Sequence, residues 1–147
     1  MKLYVLAIGH KMPNWVDVAI HDFIKRMPKD APIIIKELKP DLNPAKEAIK
    51  LLEQIPKNSY VIALDERGKD LTTVKMSDHF SQWQQLGKDI YFIIGGADGL
   101  DPSIKNISQE LWRLSSLTLP HAFARLLLVE QLYRSWTILQ NHPYHRE

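Results

Sequence analysis

Two rhythms of apolar and polar positions alternate along this chain. Leu3 to Ile8 is a short apolar run closed by Gly9, and it predicts a buried strand. Past Pro13, Asn14 is placed to cap a helix whose inner face carries Trp15, Val18, Ala19 and Phe23 at helical spacing. Ile33 to Leu38 predicts a second strand. Asn43-Pro44 then supplies a cap followed by a first-turn proline, ahead of a stripe of Ala45, Ala48, Ile49 and Leu52 that ends at Pro56. Tyr60 to Leu64 predicts a third strand running into the charged turn Asp65-Glu66-Arg67-Gly68-Lys69. Met76, Phe80 and Trp83 mark another helix, with Gly87 at its end.

The most apolar run, Ile90 to Ile94, is followed directly by Gly95-Gly96-Ala97-Asp98-Gly99, and Asp101-Pro102 starts a short helix. Leu111 to Leu119 reads as mixed strand and loop. Ala122 to Leu139 carries Arg125, Leu126, Val129, Leu132, Tyr133 and Trp136 at helical spacing, and Pro143 stops any continuation. Trp15, Trp83 and Phe123 read as core residues. Strands alternating with helices predict an α/β fold with a mainly parallel sheet, as one domain over residues 1–147. Ligands of such sheets bind beyond the carboxyl ends of the strands, which directs attention to the turns after Leu64 and Ile94.

Composition narrows the chemistry. With no cysteine, disulfides, thiolate catalysis and cysteine-bound zinc are excluded, and the lack is consistent with the cytosol. No run is long and apolar enough for a membrane span, and the opening residues do not resemble a signal peptide. A formal charge of +2 permits an RNA partner without arguing for one. The glycines after Ile94 follow neither dinucleotide-binding nor P-loop spacing, so they are a tight turn or a ligand cradle. Ser115-Ser116-Leu117-Thr118-Leu119-Pro120-His121 mixes small hydroxyls with leucines and has no acid, lysine or arginine. It is either a buried edge strand or the wall of a flat slot suited to an adenine ring. Glu130 and Arg134 are spaced as a surface ion pair, but would also border the crevice if their helix does. His142 and His145 flank Pro143 without a metal-binding pattern, so no metal is expected. The tail His142, Tyr144, His145 and Arg146 is either a solvated terminus or a set of groups that stack on bases and grip phosphates.

Several segments taken together resemble the ribosomal RNA large-subunit methyltransferase H family. They are Lys2-Leu3 through Gly9 with Lys11-Met12-Pro13, Leu64-Asp65 with Gly68-Lys69, and Ile93-Ile94-Gly95-Gly96 with Gly99-Leu100. Leu117-Thr118-Leu119-Pro120-His121, Tyr133-Arg134 and the closing Asn141-His142-Pro143-Tyr144-His145-Arg146 complete the set. Ala97-Asp98 stands where the family often has proline and a polar residue. The resemblance covers essentially the whole chain. It implies the SPOUT fold with a C-terminal trefoil knot, a topology that general rules disfavour. It also implies a cytoplasmic homodimer that uses S-adenosylmethionine to N3-methylate a pseudouridine in 23S rRNA of the assembled ribosome. By position, Leu64, Gly96, Ser115, Ser116, Leu117, Thr118, Leu119 and Pro120 would contact the methyl donor. His121, Glu130 and Arg134 would serve catalysis. His142, Tyr144, His145 and Arg146 would contact RNA, with the tail completing the partner subunit's site. Two rival readings remain at this level: a non-catalytic RNA-binding module, and a SPOUT enzyme acting on transfer RNA.

Overall fold

The apolar runs at Leu3, Tyr60 and Ile90 become the centre of one sheet. The computed structural model describes residues 1–146. Along them lie β1 (Leu3–Ile8), α1 (Asn14–Arg26), β2 (Ile33–Leu38), α2 (Pro44–Glu53) and β3 (Tyr60–Asp70). These are followed by α3 (Thr73–Leu86), β4 (Ile90–Ile94), α4 (Pro102–Ile107), β5 (Glu110–Arg113) and α5 (His121–Leu139). The strands pair in the order β2-β1-β4-β3-β5, all parallel. In register, Val5 and Ile62 flank Phe92 on either side, so the three pack as one row. The period-two alternation sends Leu3, Val5 and Ala7 to one face and Leu6 and Ile8 to the other.

The first face receives α1, α3 and α5 through Val16, Ile20, Met76, Phe80, Trp83, Leu128, Val129 and Leu132. The second receives α2 and α4 through Ala48, Leu51 and Ile104. Helix α5 lies between α1 and α3, so it is covered on several sides. Even Ser135 and Thr137 are buried there, and each hydroxyl donates back to a carbonyl of its own helix, those of Gln131 and Arg134.

Local signals explain several boundaries. Asn43 caps α2 by accepting from the Lys46 amide at 2.9 Å, with Pro44 as the first helical residue. Gly87 closes α3 in the left-handed region at φ 67°. Asn14 does not cap α1. Pro13 holds that position, and no side chain satisfies the first turn.

Other expectations need correction. Trp15 and Val18 are 56% and 61% exposed, and Phe123 is 48% exposed, so none of the three is core. Helix α1 carries two overlapping apolar stripes, and the sheet takes the one through Val16 and Ile20. Likewise α2 buries Ala48 and Leu51 while Ile49 and Leu52 face outward. Strand β3 does not stop at Leu64. It continues to Asp70 with a register shift against β5 between Leu64 and Lys69, so the residues read as a charged turn are an irregular part of a strand. Residues Ser115 to Pro120 are not a buried edge strand, because β5 ends at Arg113 and an irregular loop follows.

Candidate functional site

Because the strands are parallel, their carboxyl ends share one edge of the sheet. Ligands of open α/β sheets bind at that edge. Here it is built from the Gly9 turn after β1, Leu64 partway along β3, the Gly95–Gly99 turn after β4 and the loop from Leu114 to Pro120 after β5. Leu64 pairs with Ile94 on one side and Trp112 on the other, which places it between the other two walls.

The Gly96 carbonyl accepts from the Gly99 amide at 3.1 Å, closing a tight turn in which Gly99, at φ 79°, is the residue with positive φ. Gly96 is a glycine for a different reason. A Cβ there would lie 3.1 Å from Ile8 Cγ2 and 3.3 Å from the Glu47 carboxylate. In the following loop, the Ser115 hydroxyl accepts from the Leu117 amide at 2.9 Å. Ser116, Leu117, Thr118 and Pro120 are exposed, and Leu117 is 74% accessible. A large leucine held in solvent beside small hydroxyls suits a flat apolar ligand better than it suits packing. A cleft of about 200 Å³ adjoins this loop between the end of β5, the start of α3 and α5, with Leu71, Thr73, Met76, Trp112, Leu114 and Gln131 among its walls.

His121 opens α5 directly after that loop. Its Nε2 faces Nη2 of Arg125 at 3.1 Å, and Nη1 of Arg125 donates to Glu37 at 2.7 Å. Burial lowers the histidine pKa below its ordinary value, and the Arg125 charge lowers it further. The nearby Gly95 backbone acts on the ring in the direction that favours its protonated form. Arg125 itself is 1% exposed, and its Nε has no hydrogen-bond partner.

A second group of polar residues lies farther along α5. Arg134 Nε donates to Glu130 at 2.7 Å, and the other Glu130 oxygen accepts from Gln131 at 2.8 Å. The Tyr144 hydroxyl donates to Glu130 at 3.2 Å while the Arg134 guanidinium sits 4.6 Å from the Tyr144 ring centre. Arg134 Nη1 also reaches His145 Nδ1 at 3.2 Å. Burial raises the Tyr144 pKa, as does the neighbouring Glu130 carboxylate. The tail therefore lies against α5 of its own chain, with Tyr144 and His145 partly buried and His142 and Arg146 exposed.

The structure thus separates the residues assigned to catalysis. Glu130 and Arg134 form one cluster with the tail. His121 stands thirteen positions before Arg134 on one helix, roughly 20 Å away at the helical rise per residue. Arg125 and Glu37 were not singled out for chemistry, although an arginine on the apolar stripe of a buried helix is itself a signal. Among the described residues no three His, Cys, Asp or Glu side chains gather as metal ligands would.

Residues 1–145 match the family model described as "Predicted SPOUT methyltransferase". A probable methylase family protein from Haemophilus influenzae Rd KW20 shares the fold at a TM-score of 0.60 and 15% identity, covering 99% of this chain and 70% of that one. Alternating strands and helices, the glycine turn and the uncharged loop are thus the frame of a SPOUT-class methyltransferase. Relatives named Ribosomal RNA large subunit methyltransferase H align along the whole chain. The protein from Polynucleobacter asymbioticus is 67% identical over 147 residues, all of both chains. Those from Polynucleobacter necessarius subsp. necessarius (60%, all of both chains) and Paraburkholderia phytofirmans (52%, 99% of each) follow the same alignment. The chain belongs to the SPOUT methyltransferases and, within them, to the ribosomal RNA large subunit methyltransferase H family.

Proposed function

We propose that this methyltransferase moves a methyl group from S-adenosylmethionine to N3 of a pseudouridine in 23S rRNA of the assembled ribosome, acting as a cytoplasmic homodimer. The observation that carries the substrate class is full-length identity of 52–67% to relatives named for large-subunit ribosomal RNA. The donor supplies an electrophilic methyl on a sulfonium. Leu64, the backbone around Gly96 and residues 115–120 are its proposed seat, and the solvent-held Leu117 in an uncharged loop fits an adenine face. The C-terminal knot belongs to the same proposal.

In the transfer, N3 loses its proton, its lone pair forms the bond to the methyl carbon, and the carbon–sulfur bond breaks. The protein's part is alignment and charge. Arg134 stabilises the developing N3 anion, and His121 and Glu130 are the two groups offered for the proton. Tyr144, His145 and Arg146 hold the nucleotide, with His142 at the start of the tail.

A homodimer reconciles this set with the separation along α5. Trp15 and Phe123, whose rings meet edge to face at 5.8 Å, form an exposed apolar patch with Val18 on α1 and α5. Burial of that patch between two copies of the chain is the proposed assembly, with the His121 end of α5 in one subunit and the Arg134 end in the other contributing to one site. The test is direct. Purified chain, ribosomes and methyl-labelled donor are combined, and the labelled nucleotide is mapped. Label at N3 of one 23S pseudouridine supports the proposal. Label on transfer RNA, or no donor binding by calorimetry, overturns it.

A further inference from the structure

We propose that Arg125 and Glu37 are positioning residues that hold His121 as a neutral hydrogen-bond acceptor beside the turn after β1, so that His121 does not take the proton of the reaction. The proposal rests on the methyl-transfer reading above and divides the two groups offered there for the N3 proton.

Its basis is donor and acceptor accounting. A guanidinium has N–H groups and no acceptor. The 3.1 Å approach of Arg125 Nη2 to His121 Nε2 therefore requires that Nε2 carry a lone pair. An imidazolium would set N–H against N–H there. That leaves Nδ1 as the ring donor of the neutral imidazole. A base whose lone pair is already held by a buried arginine is a poor proton acceptor.

The clamp also has reach. Glu37 lies near the end of β2, and its carboxylate takes Arg125 Nη1 at 2.7 Å. A Cβ on Gly9, past the end of β1, would lie 3.2 Å from His121 Nε2 and 3.5 Å from Arg125 Nη2. One chain of hydrogen bonds thus runs from Glu37 on β2 through Arg125 to His121, beside the turn after β1.

Stability alone gives little reason for such an arrangement. Arg125 is 1% exposed with Nε unpartnered, and a buried ion pair is often replaceable by an apolar side chain without loss. Glu37 is 41% exposed on its side chain, so removing Arg125 would return it to water rather than strand it. The charged groups acting on His121 are Arg125, which disfavours its protonation, and Glu37, which favours it more weakly.

Nitrogen-detected NMR on the full chain labelled at histidine tests this without donor or RNA, so its outcome is separate from whether ribosomal RNA is the substrate. The expected spectrum shows His121 neutral at pH 7 with the proton on Nδ1. In Arg125→Met its titration should move up by about one pH unit. An Nε2–H tautomer or an imidazolium at pH 7 in the parent overturns the proposal. Turnover on ribosomes supplies the second arm. His121→Gln, whose amide offers a donor and an acceptor but does not titrate, should lose less than about tenfold with an unshifted pH profile, while His121→Phe loses on the order of 100-fold. Equal losses in the two variants would mean that the titrating nitrogen is used, and would equally overturn it.

Discussion

At Gly68 a Cβ would lie 2.5 Å from the carbonyl carbon of Trp112 and 2.8 Å from that of Leu111. Backbone cannot yield as a flexible side chain can, so Gly68→Ala should lower stability by about 1–3 kcal/mol, read as a fall in thermal midpoint. An unchanged midpoint would mean that β3 and β5 do not approach as described. Gly96→Val drives its branch into Ile8 and the Glu47 carboxylate. Those side chains or the turn must give by a few tenths of an ångström, and calorimetry should show S-adenosylmethionine binding lost while the folded circular dichroism spectrum remains. Gly96 is placed at the proposed donor seat by the sequence, and the structure adds that it packs closely on Ile8 of β1 and Glu47 of α2. Two titrations carry signs. The Tyr60 hydroxyl donates to Glu110 at 2.6 Å, and burial with that carboxylate raises its pKa from 10.0 to about 12. A group whose pKa is higher in the folded state stabilises below the unfolded value, and this contribution fades as pH rises from 10 to 12. Tyr60→Phe should therefore show a shallower alkaline loss of stability than the parent over that interval. His121 runs the other way. Its folded pKa is lowered, so the unfolded chain binds the proton more readily, and stability falls as pH drops below 6.5.

At the level of elements, the period of the apolar pattern carried most of the strand and helix assignments, because a sheet flanked on both faces needs short apolar runs. What it could not decide was which of two stripes a short amphipathic helix turns inward. In α1 the choice between Trp15-Val18 and Val16-Ile20 is made by the sheet, which the local sequence does not contain. The length of β3 was hidden for a related reason. Asp65 to Gly68 has turn composition and bulges out between two pairings with Trp112, and the chain rejoins β5 at Lys69. The candidate site was legible as a set of motifs, but its division along α5 was not, since residue spacing does not say which helix end meets which strand edge. The tail is the element whose role can be tested alone. Tyr144 packs on Tyr133 at 4.9 Å between ring centres and bonds Glu130, so it is not a free terminus. Deleting residues 143–147 should leave donor affinity nearly intact and abolish methylation of ribosomes. Full methylation by the truncated chain would remove the tail from the site.

For the whole molecule, the apolar stripe of α5 offers no surface to a second copy, because Leu128, Val129, Leu132 and Tyr133 are buried within one chain. Trp15, Val18 and Phe123 form one exposed apolar patch, so Trp15→Asp with Val18→Asp should convert a dimer to monomer in sedimentation and remove methylation. A monomeric parent with full activity would contradict the shared site. A mixed dimer refines this. With one subunit lacking its tail and the other carrying Gly96→Val, tails that serve the opposite subunit leave one site whole, and about half the activity survives if the sites act independently. Tails that serve their own subunit leave none. Mass spectrometry of 23S rRNA from cells lacking the gene, with and without the gene restored, tests the proposed N3-methylation of a pseudouridine by this SPOUT methyltransferase. One pseudouridine should lose a single methyl group in the deletion and regain it on restoration, but not when Gly96→Val is restored instead. An unchanged methylation pattern in 23S rRNA, or a change confined to transfer RNA, would contradict it.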